Sequence, residues 1–259
     1  MSVKTLFLLA LAPVWADDRA GDILKRHLEA EVLNAKRAAE YAYIERKDNF
    51  GFDKAGSRRK ESSETHDVIF VEGEPYRKLI ARNERPLDAK EVAKEEKKMR
   101  SAAEARRRER RGGVFHKQVS LASDEELLKV FDNRLLGEEE IAGRKTWIIE
   151  CSPPAGRVPA NEHEKEILSF QTKLWIDQTE FVLAKSVKTV VGSHIFLMPG
   201  STISTDFEKV NNDAWLAVSM TIDGRLQFAK IIKPRVRAEY HNSDFKKFDV
   251  QSTISVEKP

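Results

Sequence analysis

One cysteine, Cys151, stands among 259 residues, so no intrachain disulfide can form and core burial must hold the fold. Long apolar runs are scarce: beyond the first sixteen residues no apolar stretch approaches the about 18 residues of a membrane helix. Neither sign of charge prevails. With 45 Lys+Arg against 42 Asp+Glu the net charge is +3, too small to draw the whole chain onto nucleic acid or an anionic membrane. Metal-ligand spacing is missing from the six histidines, His27, His66, His116, His163, His194 and His241. The nearest pattern, His163-Glu164-Lys165-Glu166-Ile167, lacks a second His four residues on and reads as surface loop. His241, Ser243 and Asp244 lie too close in sequence to converge as a hydrolytic set, and read as a strand-end turn. There is no GxSxG, P-loop or GxGxxG either. The expectation is a protein that is not an enzyme and takes no cofactor and no metal.

What is there begins with the first sixteen residues, MSVKTLFLLALAPVWA: Lys4, an apolar run from Leu6 to Val14, then Val14-Trp15-Ala16 before Asp17-Asp18. This reads as a secretory signal peptide cleaved after Ala16. An uncleaved anchor is the alternative, disfavoured by the acidic flank. No Cys follows the cleavage site to accept a lipid. The expected mature chain is periplasmic or secreted, and soluble. Its 41% hydrophobic content is enough for one large all-β or α+β core. Cys151, between Glu150 and Ser152-Pro153-Pro154, reads as a buried inert thiol; a reactive one would need a base or positive group beside it.

Residues 18–38 place Ile23, Leu24, Leu28, Val32 and Leu33 at helical spacing among charges, which predicts an amphipathic helix. The period then switches to two. Strands are expected from Tyr41 to the Gly51 region, from Lys60 to Val71, and from Tyr76 to Asn83 after the Glu72-Gly73-Glu74-Pro75 turn. Residues 87–111 hold only Leu87, Val92 and Met99 as large apolar side chains, while pairs such as Glu91 and Lys94 or Glu96 and Arg100 support a solvated helix. A short helix is expected from Ser123, where Glu126 completes a capping box. A hairpin at 140–150 and a loop at 152–166 follow. In FQTKLWID, Phe170, Thr172, Leu174 and Ile176 share one face, and Asp177 to Glu180 makes a tight turn into FVLAKSVKTVV. Further strands are expected at 193–209, 214–222, 225–233 after an Asp223-Gly224 hairpin turn, and 235–241. Short connections between them predict an antiparallel meander with one apolar face.

An opening amphipathic helix followed by a long meander broken by helices resembles the periplasmic lipoprotein-carrier superfamily, the LolA/LolB/RseB-like half-barrels. LWIDQTEFVLAKSV at 174–187 carries the likeness best. GSTISTDFEKVNNDAWLAVSM at 200–220 and LQFAKIIKPRVRAEYHNSDFKKFDV at 226–250 are similar to the closing strands of outer-membrane lipoprotein-sorting-like proteins. The resemblance implies an α+β fold in which a curved antiparallel sheet, an incomplete barrel, wraps helices. It would form a single domain over 17–259, with the charged helix at 87–111 as an insertion. It also implies a carrier whose concave face holds a lipid or lipoprotein acyl chain. The lining residues would be Leu174, Ile176, Leu183, Val187, Ile203, Phe207, Leu216, Val218, Leu226 and Phe228, unless they are plain core beneath the helices. An RseB-like sensor or protein-interaction module in the cell envelope is the alternative. Arg106, Arg107, Arg108, Arg110 and Arg111 carry a local +4 with Glu109. They are either a contact for anionic headgroups or an acidic protein, or a solvated helix end whose cations meet the helix dipole. Nucleic acid is not expected as a partner of an exported chain.

Overall fold

The computed structural model describes residues 18–111, 130–228 and 231–248. The signal peptide expected at 1–16 and the short helix expected from Ser123 lie outside these residues. Three helices are described: α1 (Asp18–Ala38), α2 (Ala89–Arg111) and α3 (Glu162–Ile167). The strands are β1 (Tyr41–Phe52), β2 (Arg58–Val71), β3 (Glu74–Arg82), β4 (Arg85–Pro86), β5 (Asp132–Ile141) and β6 (Arg144–Ser152). They continue with β7 (Phe170–Asp177), β8 (Leu183–Val190), β9 (Thr202–Val210), β10 (Ala214–Phe228) and β11 (Ile231–Lys247). All eleven form one antiparallel sheet ordered β4-β3-β2-β1-β11-β10-β9-β8-β7-β6-β5. Each strand lies beside its sequence neighbour, except that β11 returns to β1 and joins the two halves. β4 and β5 stay unpaired on their outer sides, so the sheet is an open, incomplete barrel.

Register sorts the side chains onto two faces, because directly opposed residues point the same way. One row runs Arg82, Glu64, Lys47, Tyr240, Met220, Thr205, Ser186, Leu174, Ile149, Leu135. The next row on that face runs Ser62, Asn49, Ala238, Ile222, Ile203, Lys188, Thr172, Cys151, Asn133. We call this the inner face, because α1 packs on it: Ile23 and Leu24 are buried with Ile149, Cys151, Leu174, Ile176, Leu168 and Phe181. The outer face carries charge. Between β2 and β10 it holds Arg46 with Asp48 and Glu84, Lys60 with the same two acids, Arg58 with Glu239, and Arg235 and Arg237 with Asp223.

The amphipathic stripe of α1 ends sooner than its apolar spacing predicts. Ala20, Ile23, Leu24 and His27 are buried, but Val32 and Leu33 are exposed. Polar contacts join the small apolar contacts of Ala30 and Ala38 in holding the second half. His27 Nδ1 lies 2.8 Å from the Phe181 carbonyl, Leu183 N–H donates to Glu31, and Asn34 pairs with both the N–H and the C=O of Trp215.

Four other expectations change: His241, Ser243 and Asp244 are not a strand-end turn but lie within β11, His241 opposite Arg46 and Ser243 opposite Ile44. Asp223-Gly224 is not a turn: β10 runs unbroken through it, with Asp223 opposite Thr202 on β9 and Arg237 on β11. Gly224 serves close approach instead, since a Cβ there would meet Ser201 Oγ at 2.1 Å and its Cα at 2.8 Å. Residues 193–201 are irregular, and β9 begins only at Thr202. The loop at 152–166 contains the start of α3, capped by Asn161 Oδ1 accepting from Glu164 N–H, so His163 sits on a helix.

Candidate functional site

Buried apolar side chains form three clusters beside one open zone of the inner face. Under α1, strands β5 to β8 contribute a packed apolar core. A second patch joins Trp215 to Val182, Ala184 and Phe207, and a third joins Leu216 to Tyr41 and Ala214. Beyond them, across β9, β10, β11 and β1, lie Ile203, Ile222, Met220, Ala238 and Tyr240. All five are half-buried and belong to none of these clusters. α1 packs chiefly on β10 and β5, and α2 on β3 and β2, so this zone lies between the two helices. It is about 14 Å wide, three strand spacings of about 4.8 Å. Its β1 and β2 side turns polar with Lys47, Asn49, Ser62 and Glu64. Lys47 Nζ lies 5.5 Å from the Tyr240 ring centroid and makes no ion pair among the described residues. An apolar floor with a cation at one margin fits an amphiphile: a hydrocarbon body with a polar or anionic end.

The expected lining residues do not share one role. Leu174, Ile176 and Leu183 pack beneath α1, and Ile176 is wholly buried. Phe207 packs beside Trp215, and Leu216 belongs to the Tyr41 cluster. Val218 sits in the β9–β10 bulge, while Leu226, at a β10–β11 bulge, bridges Leu197. Ile203 alone of the set floors the open zone. Val187 points the other way: it opposes Lys173 on β7 and Ser204 on β9, on the outer face. The register shift between Trp175 and Ile176 separates it from Leu183, so counting by twos from Leu183 lands on the wrong side. The side chain of Phe228 lies outside the described residues. Met220, Ile222, Ala238, Tyr240 and Lys47 were missed because they emerge only when β10, β11 and β1 are paired.

The arginine run on α2 is largely turned inward. Arg106 donates to the carbonyls of Val71, Glu74 and Pro75, and Arg107 and Arg110 pair with Glu72. Glu95 on the same helix accepts from Tyr76 Oη–H and Leu79 N–H. The charged helix therefore serves main-chain groups of β3 and the β2–β3 turn, shielding that edge from pairing with another chain. Arg108 is exposed, and the side chain of Arg111 is outside the described residues.

Cys151 is buried beside Ile149 and Leu174, and burial, followed by the Glu150 charge, pushes its thiol up to about 12. Such a thiol stays protonated and is no nucleophile. Among the described residues no group of three or more His, Cys, Asp or Glu could hold a metal ion, and no helix is long and apolar enough to cross a membrane.

Several acids are held below the ordinary carboxylate range. Hydrogen bonds from Arg46, then Lys60, bring Glu84 to about 2, and the Arg235 bond lowers Asp223. At Asp177 burial acts upward, but the Arg144 bond and the N–H groups of Glu180 and Thr179 outweigh it. These groups bind fewer protons folded than unfolded, so their contribution is full above the unfolded pKa values of 3.8 to 4.5 and is lost as pH falls toward 2. Burial, followed by the Arg77 charge, lowers His66 below 6.5, so a smaller loss begins below that pH. Thermal unfolding followed from pH 8 to 2 is expected to show a shallow decline in Tm below pH 6.5 and a steep one below about 4. A flat profile down to pH 3 would contradict these assignments.

Neither a family model nor a curated protein matches the sequence. Among solved structures the chain is similar to an outer membrane lipoprotein-sorting protein domain from Vibrio parahaemolyticus: 10% identity, 92% of this chain and 95% of that one covered, TM-score 0.38. It is also similar to a DUF1329 family protein from Desulfovibrio piger, at 10% identity, 90% and 93% coverage and TM-score 0.35. A LolA superfamily protein from Nitrosomonas europaea is similar at 12% identity, 89% and 94% coverage and TM-score 0.31. The superfamily named from the sequence is thus among the structures this chain is similar to.

Proposed function

We propose that this chain is a non-enzymatic carrier, periplasmic or secreted, that holds a lipid or lipoprotein acyl chain on the open zone of its inner face. One observation supports this reading above the others: Ile203, Met220 and Ile222 form an apolar floor that α1 and α2 flank. Apolar side chains that are neither core nor fully exposed gain most from an apolar guest. At about 0.8 kcal/mol per buried CH₂, ten methylenes supply about 8 kcal/mol before association costs. Lys47, at the polar margin, would receive the ligand's anionic or polar end. α1 is held over the neighbouring core partly by Glu31 and Asn34, contacts that water can replace, so its second half is suited to act as a lid.

The test is native mass spectrometry with lipid extraction of chain purified from a bacterial periplasm. Lipid-sized adducts are expected, and I222D should remove at least nine tenths of them while the far-UV circular dichroism spectrum stays unchanged. A bare mass for the unsubstituted chain, or adducts indifferent to I222D, would overturn the reading.

A further inference from the structure

Three of the exposed large apolar side chains cluster in one described loop, between β8 and β9. Ile195 is 67% exposed, Phe196 52% and Val191 48%. The surrounding stretch 189–205 contains no Lys, Arg, Asp or Glu, in a chain of which 34% is charged. Isolated exposed apolar residues are ordinary; a cluster in a charge-free loop of so charged a chain is not.

The loop is held in shape from behind. Val190 N–H donates to Ser201 C=O at 2.9 Å and Gly200 N–H to Val190 C=O at 2.8 Å, closing its base. Met198 N–H donates to Arg225 C=O and Gln227 N–H to Phe196 C=O, fastening it to the end of β10. Leu197 is buried and bridges Leu226. His194 Nδ1 accepts from the N–H groups of Phe196 and Leu197 at 3.1 and 3.0 Å, and its ring meets the Phe170 edge at 5.1 Å. Phe170 lies on the same strand face as Thr172, Leu174 and Ile176, so the tip continues the apolar inner face to the rim. Ile195 and Phe196 are thus presented outward by a preformed turn, and little conformational entropy is lost if they insert elsewhere.

We infer that this tip docks the protein on an anionic phospholipid bilayer, with Ile195 and Phe196 entering the interface. Size decides against a protein partner. Three apolar side chains on one narrow loop fall short of the about 800 Å² per partner that a stable protein interface buries, whereas interfacial insertion needs only a small apolar wedge. Charge decides for an anionic surface. Lys188 and Arg225, on the strand ends that flank the loop, are exposed and have no ion-pair partner among the described residues. Each basic group near such a surface adds attraction that salt screens. The tip holds this role whether or not the inner face carries a ligand.

Vesicles of phosphatidylethanolamine and phosphatidylglycerol, with brominated acyl chains in a parallel set, test this with the mature chain from Asp17 onward. The mature F196W chain should show quenching by the brominated lipid beyond that of the unsubstituted mature chain, whose Trp147, Trp175 and Trp215 form the background. The doubly substituted I195S/F196S chain should sediment with the vesicles at least tenfold less, with an unchanged circular dichroism spectrum. Phosphatidylcholine vesicles should bind the unsubstituted chain several-fold more weakly. No added quenching in F196W, or sedimentation unaffected by I195S/F196S, would overturn membrane docking at this tip. Equal binding to phosphatidylcholine would overturn its preference for anionic lipid.

Discussion

Replacing Asp177 with alanine is expected to lower folding stability by about 3 kcal/mol, a fall in Tm of about 10 °C for a chain of this size. The carboxylate is 1% exposed and closes the β7–β8 turn. Its Oδ1 accepts from the N–H groups of Thr179 and Glu180 at 2.9 and 2.7 Å, and Oδ2 takes the Arg144 Nε–H at 2.8 Å. Arg144 would keep Glu180 as a partner, so most of the loss comes from the two uncapped N–H groups and the space left behind. The same turn sets Phe181, whose φ is +59°, in the left-handed region that a bulky residue rarely adopts. Asp177→Asn keeps an acceptor for both N–H groups and should lose less than half as much. Urea or thermal unfolding of the two variants checks this, and a loss below about 0.5 kcal/mol for Asp177→Ala would show that the turn does not depend on it.

Ile176→Ala should cost about 3 to 4 kcal/mol, and Val187→Ala about 1 kcal/mol or less. Ile176 is fully buried between α1 and Trp147, so truncation removes three methyl or methylene groups from packed surroundings and leaves a cavity. Val187 stands on the outer face between Lys173 and Ser204, where water can fill the space it vacates. The two measurements together test the assignment of faces. Equal costs would mean that β8 is paired one residue out of register.

Much of this architecture is legible in the sequence because each signal is local. The α1 helix, the β1–β3 meander, the α2 helix and the alternation of β7 all fall where their periods place them, although Glu91 pairs with Arg82 rather than with Lys94. What is lost in the sequence is set by partners far along the chain. Gly224 looks like half of a hairpin turn, yet its missing side chain makes room for Ser201, a neighbour that only the fold supplies. Val187 keeps step with Leu183 in the sequence, but one bulge reverses its face. The arginines of α2 resemble a free cationic patch, because nothing local reveals that Arg106 and Arg107 meet the β2–β3 turn. Likewise the floor of the open zone draws on β9, β10 and β11 together, and only Ile203 among its residues stood out from one strand's alternation.

The carrier reading is tested most directly by photo-crosslinking the chain with a phospholipid that bears a diazirine on its acyl chain, then mapping the modified peptides. The labelled positions are expected to cluster on the inner-face residues of β9, β10 and β11, around Ile203, Met220, Ile222 and Tyr240. K47A should reduce the yield without moving the sites. Label spread over the outer face, or confined to residues 191–200, would contradict a ligand held on the inner face.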